Sequence, residues 1–243
     1  MEEDLFVVGK NITRVDAVEK VTGKALYGTD VKFPGMLYGK VLRSPLPHAK
    51  ILYVDTSRVE RLLGVKVVAT GKDLIATHGI CIKDQPYYCF DKVRYIGDPV
   101  AGVAAVDEDT AEEALDLIRV EYEELPAIFD PLEAMAPDAP LIHENLEEYW
   151  HGPAFFPVKK TNICNHFKLR KGDVEKGFRE ADYISEDTFK TQMVQHCHLE
   201  PHTAVVQVNP SGRILIWSNT QHPYPCLREL SRSLKIPMHM IRV

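Results

Sequence analysis

Pro99-Val-Ala-Gly-Val-Ala-Ala-Val106, Asp107-Glu-Asp-Thr-Ala-Glu-Glu-Ala-Leu-Asp-Leu-Ile118 and Arg119-Val-Glu-Tyr-Glu-Glu-Leu125 follow one another without a break. The first run is apolar at successive positions, as a strand covered on both faces would be. Asp109 with Glu112 reads as a capping box, and Ala111, Ala114, Leu115 and Ile118 then share one helical face. Val120 and Tyr122 restart a two-residue period. The stretch predicts β-α-β, and with it an α/β (α+β) fold class.

Working outward, Tyr38–Arg43, Ile51–Val54 and Val65–Ala69 read as strands, and Gly71-Lys-Asp-Leu as the opening of a short helix. Downstream, residues 126–162 carry Pro126, Pro131, Pro137, Pro140, Pro153 and Pro157 and no sustained period. This predicts a proline-rich linker, extended over the surface and open to proteolysis. Beyond it, Tyr183–Met193 and His202–Val208 read as strands, and Asn209-Pro-Ser-Gly turns the chain into Ile214-Leu-Ile-Trp217. Leu227, Leu230 and Leu234 mark a helix ending near Ile236-Pro237, and Met238–Val243 reads as a last strand.

Of the 243 residues 45% are hydrophobic and 26% charged, enough apolar material for one large domain or two ordinary ones. A net charge of −6, without a dense Lys/Arg block, argues against nucleic acid as the main partner. The acidic start Met1-Glu-Glu-Asp4 is unlike a secretory signal, and the longest uncharged stretch, Ile214–Leu227, is too polar to cross a bilayer. Cys81, Cys89, Cys164, Cys197 and Cys226 are odd in number and form no C-x-x-C pair, which fits a reducing cytoplasm. Cys81 and Cys197 are conceivable nucleophiles, although inert cysteine is the commoner case.

Two clusters carry candidate chemistry. In Gln195-His-Cys-His-Leu-Glu-Pro-His202 a two-residue period would place His196, His198, Glu200 and His202 on one face, as a strand offers metal ligands. Pro201 weakens such a strand, and surface imidazoles are more common than ligands. Thr220-Gln221-His-Pro follows directly on Ile214–Trp217, so Gln221 stands at the carboxyl end of a strand, where α/β proteins build sites; the alternative is a loop-capping amide. G-x-G-x-x-G, Walker, G-x-S-x-G and H-E-x-x-H patterns do not occur in the sequence.

Four separated blocks add a resemblance. Arg14-Val-Asp-Ala-Val-Glu-Lys-Val-Thr-Gly-Lys-Ala-Leu-Tyr-Gly-Thr-Asp30 resembles the opening of the molybdenum-binding subunit of the xanthine dehydrogenase/aldehyde oxidase family. Met36–Pro45 with His48–Ile51, Val93–Ala105 and Ser218–Pro223 resemble further blocks of that family, in the same order. The resemblance implies a tail at 1–13, an α/β hammerhead domain at 14–125, the linker at 126–162, and an incomplete molybdopterin-binding α+β domain from 163 to 243. It implies a molybdenum cofactor of the molybdopterin type, expected as the cytosine dinucleotide, with Gln221 hydrogen-bonding an oxygen ligand of the metal and no residue ligating the metal directly. The family chemistry is hydroxylation at an electron-poor carbon, with electrons leaving through iron–sulfur clusters to FAD.

The family's general-base glutamate lies beyond Val243, so no catalytic residue is expected within the chain, and the chain alone is expected to be inactive. The hammerhead begins almost at Met1, which implies iron–sulfur and FAD partner subunits in a bacterial, cytoplasmic, homo-oligomeric complex. Purine, aldehyde, N-heterocycle and aromatic substrates all stay open. A reading from another class, a non-catalytic interaction or assembly module derived from that subunit, stays open as well.

Overall fold

The computed structural model describes residues 5–243. In chain order the elements are α1 (Ala17–Val21), β1 (Tyr38–Arg43), β2 (Ala49–Asp55), β3 (Val65–Thr70), β4 (Thr77–His78), β5 (Gln85–Pro86), β6 (Lys92–Val93) and β7 (Pro99–Ala105). There follow α2 (Glu108–Leu117), β8 (Arg119–Glu124), α3 (Pro131–Ala134), α4 (Val174–Glu180), β9 (Ala204–Val208), β10 (Ile214–Ser218), α5 (Pro223–Leu234) and β11 (Ile241–Arg242). The chain divides into two compact units. Residues 35–197 and 229–235 form one, and the segments up to Pro34, 198–228 and 236–243 form the other.

The larger unit holds two three-stranded antiparallel sheets, ordered β1-β7-β3 and β6-β2-β8. Period two on β7 explains its burial on both faces. Ala101, Val103 and Ala105 pack with Ala111, Ala114 and Ile118 of the α2 segment, whereas Val100 joins Ala49, Cys89 and Val93. Val54 and Val120 flank both clusters and so tie the sheets together.

The strand-helix-strand order read from residues 99–125 is present, with two corrections. Asp107, not Asp109, caps α2: its carboxylate accepts from Thr110 N at 2.7 Å, and Glu112 instead pairs with Lys40 at 2.8 Å. β7 and β8 also lie in different sheets, because both edges of β7 are taken by β1 and β3. Hydrophobic period reports burial and not the identity of the pairing partner.

Other expectations change too. Gly71 opens a turn and no helix: the Asp73 carboxylate accepts from Thr70 N and Thr70 Oγ1, and the backbone of Cys89–Phe90 lies against Gly71 so closely that a Cβ would meet it at 2.6–2.7 Å. Tyr183–Met193 forms no strand; it runs exposed, since a strand needs a ladder partner and none pairs with it among the described residues. A helix unforeseen in the sequence, α4, precedes it, capped by the Asp173 carboxylate at Lys176 N. Met238–Met240 is a 3₁₀ turn, which leaves only Ile241–Arg242 as strand.

Residues 126–162 lack regular period, yet they are held down. The Asn162 amide donates to Ala134 O and Pro140 O and accepts from Ile142 N at 2.9–3.1 Å. Glu144 pairs at 2.7 Å with Lys92, whose side chain is only 5% exposed. Trp150 O accepts from Lys83 N, and Gly152 N donates to Cys81 O. Backbone groups that lack a ladder thus find partners elsewhere.

His143 in this segment stands edge-on to Tyr149, with Asp84 4.0 Å away. Burial, helped by the Arg94 charge, pushes its pKa down from 6.5 to about 4. Above pH 6.5 the ring is neutral folded and unfolded. Between pH 6.5 and about 4 the unfolded chain takes up a proton that the folded chain refuses, so stability falls as pH falls through that window. Urea denaturation should show this slope in the wild type and a flatter one in His143→Gln; parallel pH profiles would contradict the assignment. At Gly71, substitution by Ala should cost about 1–3 kcal/mol, because backbone and not a flexible side-chain tip must give way. A loss within the ±0.5 kcal/mol of ordinary surface substitutions would show that the close approach is unimportant.

Candidate functional site

The smaller unit is built around β10. The Asn209 carboxamide closes the hairpin by accepting from Ser211 N and Arg213 N at 2.9–3.1 Å, while Gly212 takes φ +79°. This sets β9 antiparallel to β10, with Ile214 opposite Val208 and Ser218 opposite Ala204. β11 then pairs with β10 in parallel, Ile214 with Ile241 and Leu215 with Arg242. Parallel neighbours require a crossover, and α5 supplies it. The β-α-β unit of this chain is therefore β10-α5-β11.

At the carboxyl end of β10 the turn is fixed from both sides. The Asn219 amide accepts from Thr203 N at 3.3 Å and donates to Pro201 O at 2.8 Å, and Thr220 Oγ1 accepts from His222 N at 3.1 Å. Gln221 sits in this bend, exposed. Its carboxamide makes no hydrogen bond among the described residues. Pro223 and Pro225 stiffen the first turn of α5, where the lost N–H groups would be unpaired in any helix.

Beside this turn a cavity of about 430 Å³ is walled by Tyr27, Gly28, Glu200, Trp217, Ser218 and Asn219 among others; Gln221 is not in its wall. Phe33 packs on Trp217 at 5.2 Å, and a Cβ at Gly28 would run into the Thr203 side chain. Thr203 Oγ1 is itself buried, with no hydrogen-bond partner among the described residues.

The four sequence blocks thus meet in pairs. Residues 26–28 of the first line the same cavity as Ser218 and Asn219 of the last. In the larger unit the second and third blocks supply β1 and β7, which pair with each other, and the β2 and β6 ends, Ala49 with Val93.

The histidine cluster does not form the single face that an extended run would give it. Cys197 takes φ +48°, which breaks the extended run, and no strand spans 196–202. His198 and His202 instead stack, centroids 4.8 Å apart and planes at 9°, and Glu200 joins the cavity wall. Among the described residues no group of three His, Cys, Asp or Glu is placed to hold a metal ion. All five cysteines are free thiols. Burial, reinforced by the Asp98 carboxylate, drives the Cys89 thiol well above its ordinary range, the opposite of an activated nucleophile. Sequence reasoning missed Asn219, Thr203 and Gly28. Asn directly after a strand was the one available signal, since nothing in the sequence pairs it with residues 16 and 18 positions earlier.

Known proteins share this fold. Residues 22–126 match the aldehyde oxidase and xanthine dehydrogenase a/b hammerhead domain, and residues 155–243 match the molybdopterin cofactor-binding domain. The chain belongs to the molybdenum-binding subunits of the xanthine dehydrogenase/aldehyde oxidase family. It is 40% identical over 95% of its length to a probable xanthine dehydrogenase subunit of Bacillus subtilis, and 37% identical over 100% to the nicotinate dehydrogenase large molybdopterin subunit of Eubacterium barkeri. It spans 29% and 54% of the lengths of those two relatives. Among solved structures it superposes on reconstituted CO dehydrogenase from Oligotropha carboxidovorans with a TM-score of 0.81 at 32% identity, covering 96% of this chain and 30% of that one. Quinoline 2-oxidoreductase from Pseudomonas putida 86 gives 0.78 at 27% identity, covering 96% and 29%. No described helix of the family member is long and apolar enough to cross a membrane.

Proposed function

We propose that this chain works within a molybdenum-dependent hydroxylase, where Gln221 orients the molybdenum cofactor while a carbon centre of a purine, N-heterocycle, aldehyde or aromatic compound is oxidised. The observation that carries this reading is the exposed, uncommitted carboxamide of Gln221 at the carboxyl end of β10, on a turn fixed by Asn219 and Thr220. Such an end of a strand, next to its crossover, is where open α/β sheets take ligands.

The residues fit the cofactor. A carboxamide donates a hydrogen bond without adding charge, so it can hold a group in the metal's coordination sphere and leave the site's charge unaltered. The cofactor when bound supplies the oxygen-transfer and electron-accepting chemistry. The chain supplies position: Asn219 ties the loop at Pro201–Thr203 to the end of β10, and Thr220 shapes the bend that presents Gln221.

The related proteins are named as subunits of larger enzymes, which supports iron–sulfur and FAD partner subunits as the electron acceptors. The cytosine dinucleotide form of the cofactor, a cytoplasmic setting and a homo-oligomer of the heteromeric complex belong to the same proposal. So do the boundaries, with the hammerhead at 14–125, a connector at 126–162 and the cofactor-binding domain from 163.

In the molybdenum-loaded complex, Gln221→Ala should lower turnover roughly 10- to 100-fold, the usual loss on removing a partner of a metal ligand. Molybdenum content and circular dichroism should stay as in the wild type, since an exposed amide contributes little to folding. Unchanged turnover in the fully loaded variant would overturn the role of Gln221.

A further inference from the structure

Every residue from 164 to 199 is exposed, although the stretch is rich in large apolar side chains. Phe189 and Met193 are 89% and 99% exposed. On α4, Val174 and Phe178 lie one turn apart on one side, while Glu175, Lys176, Arg179 and Glu180 take the other. With Ala181, Tyr183 and Ile184 they line a groove of about 370 Å³. A continuous apolar surface of this kind marks a missing neighbour.

The residues themselves say which kind of neighbour fits. Tyr183, Ile184, Thr188, Phe189, Thr191 and Val194 are aromatic or β-branched, and no Gly or Pro falls between Phe178 and Glu200. Tyr183, Phe189 and Met193 stand at odd positions and Ile184 and Val194 at even ones, so a strand here would be apolar on both faces, as within a covered sheet. Ser185 Oγ donates to Asp187 Oδ2 at 3.1 Å, a contact between residues two apart that share one face of an extended chain. What the segment lacks is a ladder partner among the described residues, and a strand is completed by adding to the free edge of a sheet. A helix directly before it, with its apolar side on the same groove, supplies the layer that packs on a sheet face.

Size and charge narrow the occupant. The chain spans 29% of the Bacillus subtilis relative and 30% of the CO dehydrogenase chain, so most of each of those proteins lies outside the matched region. A second copy is a poorer fit, because Asp182, Glu186 and Asp187 against Lys190 leave the segment negative and self-pairing doubles that charge.

We propose that residues 183–193 are an edge-completing strand: they add to a β-sheet in the part of the molybdenum-binding subunit that the relatives carry outside the matched region, and α4 packs on the face of that sheet. This rests on the reading that the chain works inside a larger molybdenum enzyme, and not on the role of Gln221.

The test compares hydrogen exchange in the 243-residue chain and in the molybdenum-loaded complex. Amides of 183–193 should exchange roughly 100-fold more slowly in the complex. Thr188→Pro and Thr191→Pro each remove an N–H, and the two point to opposite sides of a strand. One of the two should therefore weaken assembly of the complex about tenfold or more while the other spares it, and Phe189→Asp should weaken it too. Because the segment is exposed in the chain by itself, all three variants should leave the melting temperature of the 243-residue chain within about 2 °C of the wild type.

Free exchange of 183–193 in the complex, or equal effects of the two prolines on assembly, would overturn the proposal. So would protection that grows with the concentration of the isolated chain and is missing from the complex, which assigns the surface to a second copy. A wild-type chain that enters no molybdenum-loaded complex overturns both the larger-enzyme reading and the strand, whereas a loaded complex with 183–193 unprotected overturns the strand alone.

Discussion

The parallel pairing of β10 with β11 is the constraint on which the site depends. Two antiparallel strands could be joined by a short turn, but Ile214–Leu215 beside Ile241–Arg242 in parallel obliges the chain to leave β10 at its carboxyl end, run through a helix and return. Gln221 is thereby placed in the bend between strand and helix. Asn219 then locks that bend to Pro201–Thr203, and the prolines of His222-Pro-Tyr-Pro225 prevent the helix start from fraying.

In the larger unit antiparallel pairing prevails and burial does the work. β7 sits between β1 and β3 and presents Val100 to one cluster and Ala101, Val103 and Ala105 to another. Small residues at these positions let α2 lie close on the sheet, while Lys40 clasps Glu108 and Glu112 from β1 at 2.6 and 2.8 Å. Exposed pairs of this kind contribute little stability, and the packed alanines and valines carry the fold.

Local order was legible wherever a side-chain period met its own turn chemistry. The strands at 38–43, 65–70 and 99–105, the Asn209–Gly212 hairpin and the leucine face of α5 follow from residues close in sequence. Pairing was not legible. Nothing near Val100–Val106 says that β1 and β3 occupy both edges of its strand, and nothing near Tyr183–Met193 says that no described strand pairs with it. Gly71 read as a helix opener because its role, the close approach of the Cys89–Phe90 backbone, is set 18 residues away.

The candidate site divides in the same way. The place of Gln221 at a strand end could be read directly from Ile214–Trp217 and the residues that follow. Its supports could not, since Asn219 with Pro201 and Asn219 with Thr203 are long-range contacts of an ordinary polar residue. The histidine face failed on one backbone angle, the positive φ of Cys197, which no residue pattern announces. A crystal structure of the molybdenum-loaded protein would show directly whether the β10–α5 bend delivers the Gln221 carboxamide to the cofactor. The Gln221 side-chain nitrogen should lie at hydrogen-bonding distance, about 3 Å, from an atom coordinated to molybdenum. A carboxamide turned into solvent, or separated from the metal's ligands by another side chain, would contradict it.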